Sequence, residues 1–78
     1  MPTVLRVGGF RFFFFSNEGN EPPHIHVEKA ECYAKFWLVP VKLARSKGFW
    51  HRERTRLRKL VERNQALFME RWHEFFAR

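Results

Sequence analysis

Aspartate is absent from the 78 residues, and Cys32 is the only cysteine. Without aspartate, chemistry that depends on paired aspartates is excluded, and a lone thiol forms neither an intrachain disulfide nor a two-cysteine zinc site. The sequence also has no phosphate-binding glycine-rich loop, and its two serines, Ser16 and Ser46, lie in no nucleophile motif. The enzyme classes that carry these signatures are therefore excluded.

Long apolar runs are missing as well. Runs such as Phe12 to Phe15 are far too short to span a bilayer, and the first residues lack the apolar stretch of a signal peptide. A single thiol also fits a reducing compartment better than a secreted one. We therefore expect a cytoplasmic protein that does not associate with a membrane.

Aromatic residues are abundant, with ten Phe and three Trp. A chain of this length buries only about 60% of its unfolded surface, so small domains usually add disulfides, a metal or a partner subunit. We expect residues 1–78 to form a single domain that has an aromatic core and is a candidate for homo-oligomerisation.

Positive charge is concentrated in the second half of the chain. Residues 1–39 hold four basic and four acidic residues, whereas residues 40–78 hold eleven basic residues and four Glu, which accounts for the whole net charge of +7. A polyanionic partner would therefore meet the C-terminal half, although basic residues also serve merely to keep a small protein soluble.

Residues 1–39 have the pattern of a sheet. Gly8-Gly9 is a two-residue hairpin signal, and residues 16–23 are rich in turn formers. The segments between these turns are rich in apolar and aromatic residues or alternate polar with apolar ones, as strands do. We predict four strands: Val4–Val7, Phe10–Phe15, His24–Glu28 and Cys32–Val39.

Residues 40–78 have the pattern of helices. Pro40 suits a first helical position and Gly48 suits the residue after a helix end, which predicts a short helix between them. A long helix over Trp50–Phe76 follows, with one apolar face formed by Leu57, Leu60, Val61, Phe68, Trp72 and Phe75. The predicted fold is α+β: a four-stranded antiparallel β-meander followed by a short and a long C-terminal α-helix packed on one sheet face. The two helices also fit a helix-turn-helix, but that motif normally sits in a three-helix core.

The segment His24-Ile25-His26-Val27-Glu28 is the sharpest local motif. On a strand, alternate residues share a face, so Ile25 and Val27 point to the core and the other three form one solvent-facing row. His24 and His26 then fit the acid and base of a metal-independent ribonuclease. With Glu28 they alternatively fit a transition-metal site, although no further His or Cys ligand lies at a recognisable spacing. An ordinary amphipathic strand also explains the motif, and we expect no cofactor.

Basic residues on the long helix form one stripe. Arg52, Arg56, Lys59 and Arg63, here called the cationic ridge, are spaced four, three and four apart and lie away from the apolar face. Like charges at this spacing repel, and cations near a helix start oppose the macrodipole. Phosphates or an acidic protein would relieve both penalties, and a merely solvated face is the remaining interpretation.

Alternation along Phe12 to Phe15 places Phe12 and Phe14 on one sheet face and Phe13 and Phe15 on the other. One pair must pack under the helices. The other is expected to remain exposed, where it favours a protein interface over a base-stacking platform.

Five segments resemble a family of short bacterial proteins known only as a domain of unknown function: Met1–Arg6, Gly9–Asn17, Pro22–Val27, Ala34–Leu38 and Trp72–Phe75. Such proteins are commonly encoded beside another small protein, as in toxin–antitoxin pairs. The resemblance therefore implies a protein partner from a neighbouring gene, with nucleic acid as a further partner, and it implies no established activity. Within the family's Pro-Pro-His-Ile-His-Val segment, His24 and His26 are the first choices for a site, with Glu28 beside them. This sequence departs from the family at residues 29–33 and has more Arg between 52 and 58.

We therefore expect a toxin–antitoxin-like module that contacts RNA or DNA through the cationic ridge. If it cleaves RNA, His24 and His26 exchange the proton at the 2′-hydroxyl and Lys35 stabilises the charged phosphorane. The alternative is a non-enzymatic interaction module that binds an acidic partner or self-associates through exposed aromatics.

Overall fold

A computed structural model describes residues 3–76 and contains five strands followed by two helices. The strands pair in sequential order as one antiparallel meander, which confirms the α+β class but adds a fifth strand to the four that were predicted. The elements are β1 Thr3–Val7, β2 Phe10–Phe13, β3 His24–Lys29, β4 Cys32–Leu38, β5 Val41–Lys47, α1 His51–Arg63 and α2 Gln65–Phe76.

The first hairpin turns where the sequence predicted. Gly8 and Gly9 have φ values of 52° and 87°, a conformation that a residue with a Cβ adopts only at a cost. The turn brings Val7 opposite Phe10. It thereby fixes the register that directs Phe10 and Phe12 to one face of the sheet and Arg11 and Phe13 to the other.

The short helix predicted between Pro40 and Gly48 is wrong, because this segment forms β5. Val39 and Pro40 form a two-residue turn, Leu38 pairs with Val41, and Phe36 pairs with Leu43. Pairing with β4 outweighs the weak helical pattern, as tertiary contacts commonly do. Without a first helix, the helix-turn-helix interpretation fails.

The long helix predicted over Trp50–Phe76 is also wrong in one respect, because it is two helices that meet at Asn64. Asn64 has φ −106° and ψ 15°, and its side-chain amide donates to the carbonyl oxygen of Leu60 at 2.8 Å. Asn favours such helix ends because its side chain competes for backbone hydrogen bonds. The predicted apolar face nevertheless continues through both helices: Leu57, Val61, Phe68 and Trp72 are buried.

Both helices pack on one face of the sheet, as predicted. Phe12 contacts Phe68 with ring centroids 5.3 Å apart, and Phe14 meets Trp72 edge-on at 5.4 Å. Ile25, Val27 and other apolar residues from β3 and β4 complete this core. Among residues 3–76, neither helix has the length and apolar character needed to cross a membrane.

The other face of the sheet is partly covered by the loop of residues 14–23. From this loop Phe15 contacts His26, with ring centroids 4.5 Å apart, and Glu21 pairs with Lys35 of β4 at 3.0 Å. Glycine permits a close approach where the loop meets α2, since a Cβ at Gly19 would lie 2.7 Å from Cδ1 of Phe76. The loop therefore contacts both this face of the sheet and the last turn of α2.

Candidate functional site

Strand β3 alternates as the sequence predicted, but its two histidines do not face solvent. Ile25 and Val27 lie in the core beneath the helices, and His24 and His26 point to the opposite face. The prediction of a solvent-facing row is wrong, since His24 is 0% and His26 2% exposed. The cause is the 14–23 loop, which folds over both imidazoles.

Glu18 of that loop lies between the two histidines. Its Oε1 atom is 2.7 Å from Nε2 of His24 and 2.6 Å from Nε2 of His26. One donor atom from each of the three residues lies within 4.8 Å of those of the other two. We call this group the Glu18–His24–His26 cluster. A single carboxylate oxygen thus meets two imidazole nitrogens in a site largely closed to water.

The second nitrogen of each ring also has a partner. Nδ1 of His24 lies 2.9 Å from the backbone carbonyl oxygen of Pro22, and Nδ1 of His26 lies 2.7 Å from the hydroxyl oxygen of Tyr33. Aromatic rings surround the cluster, with Phe13 stacked on His26 and Trp72 packed against His24. Both imidazole rings are therefore fixed in orientation.

Burial and hydrogen bonding shift two pKa values in this cluster. Burial lowers the pKa of His26 below its ordinary value and outweighs the opposing effect of the Glu18 carboxylate. For Glu18, burial alone would raise the pKa, but the hydrogen bonds and the electrostatic interactions with the two imidazoles together leave it lowered. At neutral pH these shifts keep Glu18 ionised and His26 neutral.

The structure does not bring Glu28, the third residue of the predicted metal set, together with the two histidines. Its carboxylate accepts a hydrogen bond from the Arg11 guanidinium at 2.8 Å on the neighbouring strand, whereas Glu18 joins the two histidines. Sequence reasoning missed Glu18 because it lies in an irregular loop, where no periodicity relates its position to a strand. The only signal was a carboxylate in the loop directly before the motif.

Lys35 pairs with His26 across β3 and β4, as its proposed role in phosphate stabilisation requires. Its ammonium group, however, donates to Glu21 at 3.0 Å and lies 4.6 Å from the ring centroid of Trp37. The positive charge is thus already paired on this face of the sheet.

The prediction of an exposed phenylalanine pair is wrong. Phe12 and Phe14 pack under the helices as expected, but Phe13 is buried and Phe15 is half-buried, both against His26. The aromatic side chain that is most exposed among the described residues is instead Trp50, at 79%. It directly precedes α1.

The cationic ridge lies on α1 and all four of its residues are exposed. Within residues 3–76, none of them makes an ion pair or a side-chain hydrogen bond. Arg56 lies 5.6 Å from the ring centroid of Phe10, which leaves its hydrogen-bond donors available. The ridge is therefore continuous and accessible.

The glutamates of α1 do not neutralise the ridge. Glu53 accepts a hydrogen bond from the backbone N–H of Trp50 at 3.1 Å, and Glu62 accepts one from Arg58 at 3.4 Å. His51 and Thr55 line the same shallow groove as three of the ridge residues. Strand β5, beside α1, adds three exposed cations: Lys42, Arg45 and Lys47. The positive charge of the second half is thus displayed outward.

Together these features define a small, basic α+β domain with a buried histidine–glutamate cluster and an exposed cationic helix. The chain belongs to the family described as Domain of unknown function (DUF4160), whose sequence model matches residues 9–73. The matched region contains both the Glu18–His24–His26 cluster and the cationic ridge. No curated protein and no solved structure matches the chain.

Proposed function

We propose that this protein is a toxin–antitoxin-like module that contacts nucleic acid through the cationic ridge. One observation carries the proposal: Arg52, Arg56, Lys59 and Arg63 lie exposed along one helix with no ion-pair partner among residues 3–76. Such a row is unfavourable in the free protein, because its charges repel each other and the first of them oppose the helix macrodipole. Phosphate groups along a nucleic-acid strand would relieve both effects.

The position of Trp50 favours single-stranded nucleic acid. Its largely exposed indole lies beside Arg52 at the start of the ridge. Proteins that bind single strands combine a cationic track for phosphates with aromatic rings on which bases stack, and each stacked base contributes about 1–3 kcal/mol. A strand that follows the ridge would bring a base to Trp50.

Binding of the purified protein to a fluorescent single-stranded RNA and its DNA equivalent, measured by anisotropy at several salt concentrations, tests this proposal. Log affinity should fall linearly with log salt, and the slope should decrease by ~0.7 for each ridge residue replaced by Gln. Arg71→Gln is the matched control, because the substitution removes the same charge. Arg71 is exposed on α2 and already pairs with Glu74. Trp50→Ala should weaken binding with little change in slope.

Three results would contradict the proposal: no binding, salt-insensitive binding, or an equal loss in the Arg71 control. The ridge equally suits an acidic protein encoded by the neighbouring gene, which is the second candidate. Co-expression distinguishes the two, because a complex that forms without nucleic acid and depends on the ridge favours the protein partner.

Burial of the Glu18–His24–His26 cluster gives the ribonuclease hypothesis no support. An acid–base pair must reach the 2′-hydroxyl of its substrate, whereas both imidazoles are closed off by the 14–23 loop. We therefore place His24 and His26 outside the proposed nucleic-acid contact.

A further inference from the structure

We infer that Glu18, His24 and His26 form a binding site for one divalent transition-metal ion of the zinc class. The inference is independent of nucleic-acid binding, because the ridge lies on α1, whereas the residues that surround the cluster come from the 14–23 loop, the sheet and α2. It rests on which imidazole nitrogens carry protons, on the distances between the ligand atoms, and on the hydrogen-bond partners of the two Nδ1 atoms.

The hydrogen bonds of His24 leave a lone pair facing the carboxylate. The carbonyl oxygen of Pro22 can only accept, so Nδ1 of His24 must carry the proton that joins them at 2.9 Å. In a neutral imidazole the other nitrogen, Nε2, then bears a lone pair, yet it lies 2.7 Å from Oε1 of Glu18. Two lone pairs at this distance repel unless a proton or a metal ion lies between them.

His26 can present the same arrangement to the same oxygen. A hydroxyl group both donates and accepts, so Nδ1 of His26 can donate to Tyr33 and leave the Nε2 lone pair directed at Glu18. Two imidazole nitrogens and a carboxylate oxygen then converge on one point. This ligand set suits zinc and its neighbours in the first transition row.

The distances require a rearrangement of all three side chains. Metal–nitrogen and metal–oxygen bonds of about 2.0–2.2 Å place tetrahedral ligand atoms roughly 3.3 Å apart. The two nitrogen–oxygen distances are 2.7 and 2.6 Å, so each would lengthen by roughly 0.6 Å, and the two imidazole nitrogens, which lie within 4.8 Å of each other, would settle at the same ligand separation. Glu18 lies in a surface loop with its side chain 18% exposed, which allows this movement and gives an ion a way in.

The hydrogen-bond partners of the two Nδ1 atoms are of the kind found beside metal-binding histidines. A metal-binding imidazole almost always donates its other N–H to a carbonyl, a carboxylate or a water, which fixes the tautomer and the ring orientation. Pro22 and Tyr33 provide acceptors for the two rings. The ion would also join the 14–23 loop to β3, the kind of support that a domain with a small core needs.

Titration of the chelator-treated 78-residue chain with Zn²⁺ tests the inference, with Co²⁺ as a spectroscopic probe. We expect one equivalent of either ion to bind, a higher thermal midpoint with Zn²⁺, and the intense visible absorption of four-coordinate Co²⁺. Glu18→Gln should reduce affinity by more than the roughly 10–100-fold that loss of an outer hydrogen-bond partner costs.

Two controls separate this site from others in the chain. Glu28→Gln removes the same charge from the strand that carries both histidines and should bind like the parent protein. The double variant His51→Gln/His73→Gln removes the exposed imidazoles and should also retain binding.

The inference is overturned if the parent protein binds neither ion, which would leave a proton as the bridge between His24 and Glu18. It is equally overturned if Glu18→Gln binds the ions as tightly as the parent does, or if the His51→Gln/His73→Gln variant no longer binds them. Circular dichroism of each variant checks the fold. If Glu18→Gln fails to fold, the stoichiometry and the Co²⁺ spectrum of the parent and of the double variant decide.

Discussion

The hydroxyl group of Tyr33 lies 2.7 Å from Nδ1 of His26, across the pair of strands β3 and β4. This contact orients the imidazole whose other nitrogen meets Glu18. Tyr33→Phe removes the oxygen and keeps the ring, so the packing on His26 is retained. We expect Zn²⁺ affinity to fall by about 10–100-fold. The metal-free protein should also lose about 1–3 kcal/mol of stability, because a buried imidazole nitrogen loses its hydrogen-bond partner. Calorimetric titration measures the first and thermal unfolding the second. An unchanged affinity would mean that Tyr33 does not orient the ligand.

Acid should destabilise the metal-free protein in two stages. The pKa of His26 is lowered from its ordinary value of 6.5, so the unfolded state binds this proton more readily than the folded state. Its contribution to stability is therefore complete above pH 6.5 and is lost as the pH falls below it. The pKa of Glu18 is lowered from 4.5, and its contribution is lost below that pH. Urea unfolding across this range measures the effect. His26→Gln should flatten the first stage, and a parent protein that is equally stable on both sides of pH 6.5 would contradict the prediction.

Removal of a ridge charge near the start of α1 should stabilise the protein while weakening its contact with nucleic acid. Arg52 lies in the first turn, where a cation opposes the macrodipole, and it repels Arg56 one turn later. Arg52→Gln should therefore raise the free energy of unfolding by about 0.3–1 kcal/mol at low salt. Urea denaturation provides the measurement. Arg71→Gln should give no such gain because Arg71 pairs with Glu74, and a loss of stability in Arg52→Gln would mean that Arg52 has a stabilising contact.

Gly19→Ala should disturb the cluster from a distance. The new methyl group would lie 2.7 Å from Cδ1 of Phe76, so either the ring or the loop that carries Glu18 must move. We expect weaker Zn²⁺ binding and a lower thermal midpoint. Phe76→Ala in the same chain should restore much of the affinity, because it removes the ring that the methyl group meets. If both single variants bind Zn²⁺ as the parent does, the contact does not position the loop.

The sequence predicted the elements that have strong local signals. Gly8-Gly9 marked the first hairpin, alternation at Ile25 and Val27 marked β3, and the spacing of Leu57, Val61 and Phe68 marked the buried helical face. Each of these depends on residues within a few positions of each other. Local sequence alone therefore determines where these elements form.

The errors concern contacts between residues far apart in the chain. Pro40 and Gly48 suit a helix locally, but pairing of Phe36 with Leu43 makes the segment a strand. The histidines were expected to face solvent because nothing in the local pattern indicates that the 14–23 loop returns over them. Glu18 was missed for the same reason, since its contact with His26 depends on the path of an irregular loop.

Strand β5 lies at the edge of the sheet, so it has backbone groups that are free to pair with another chain. The exposed residues along it include Lys42, Arg45 and Lys47. Pairing of β5 with β5 of a second copy would therefore bring like charges together. Charge repulsion thus protects this edge against aggregation. Salt screens such repulsion beyond about 10 Å at 0.1 M. Concentrated samples of the protein should therefore aggregate more slowly at low ionic strength.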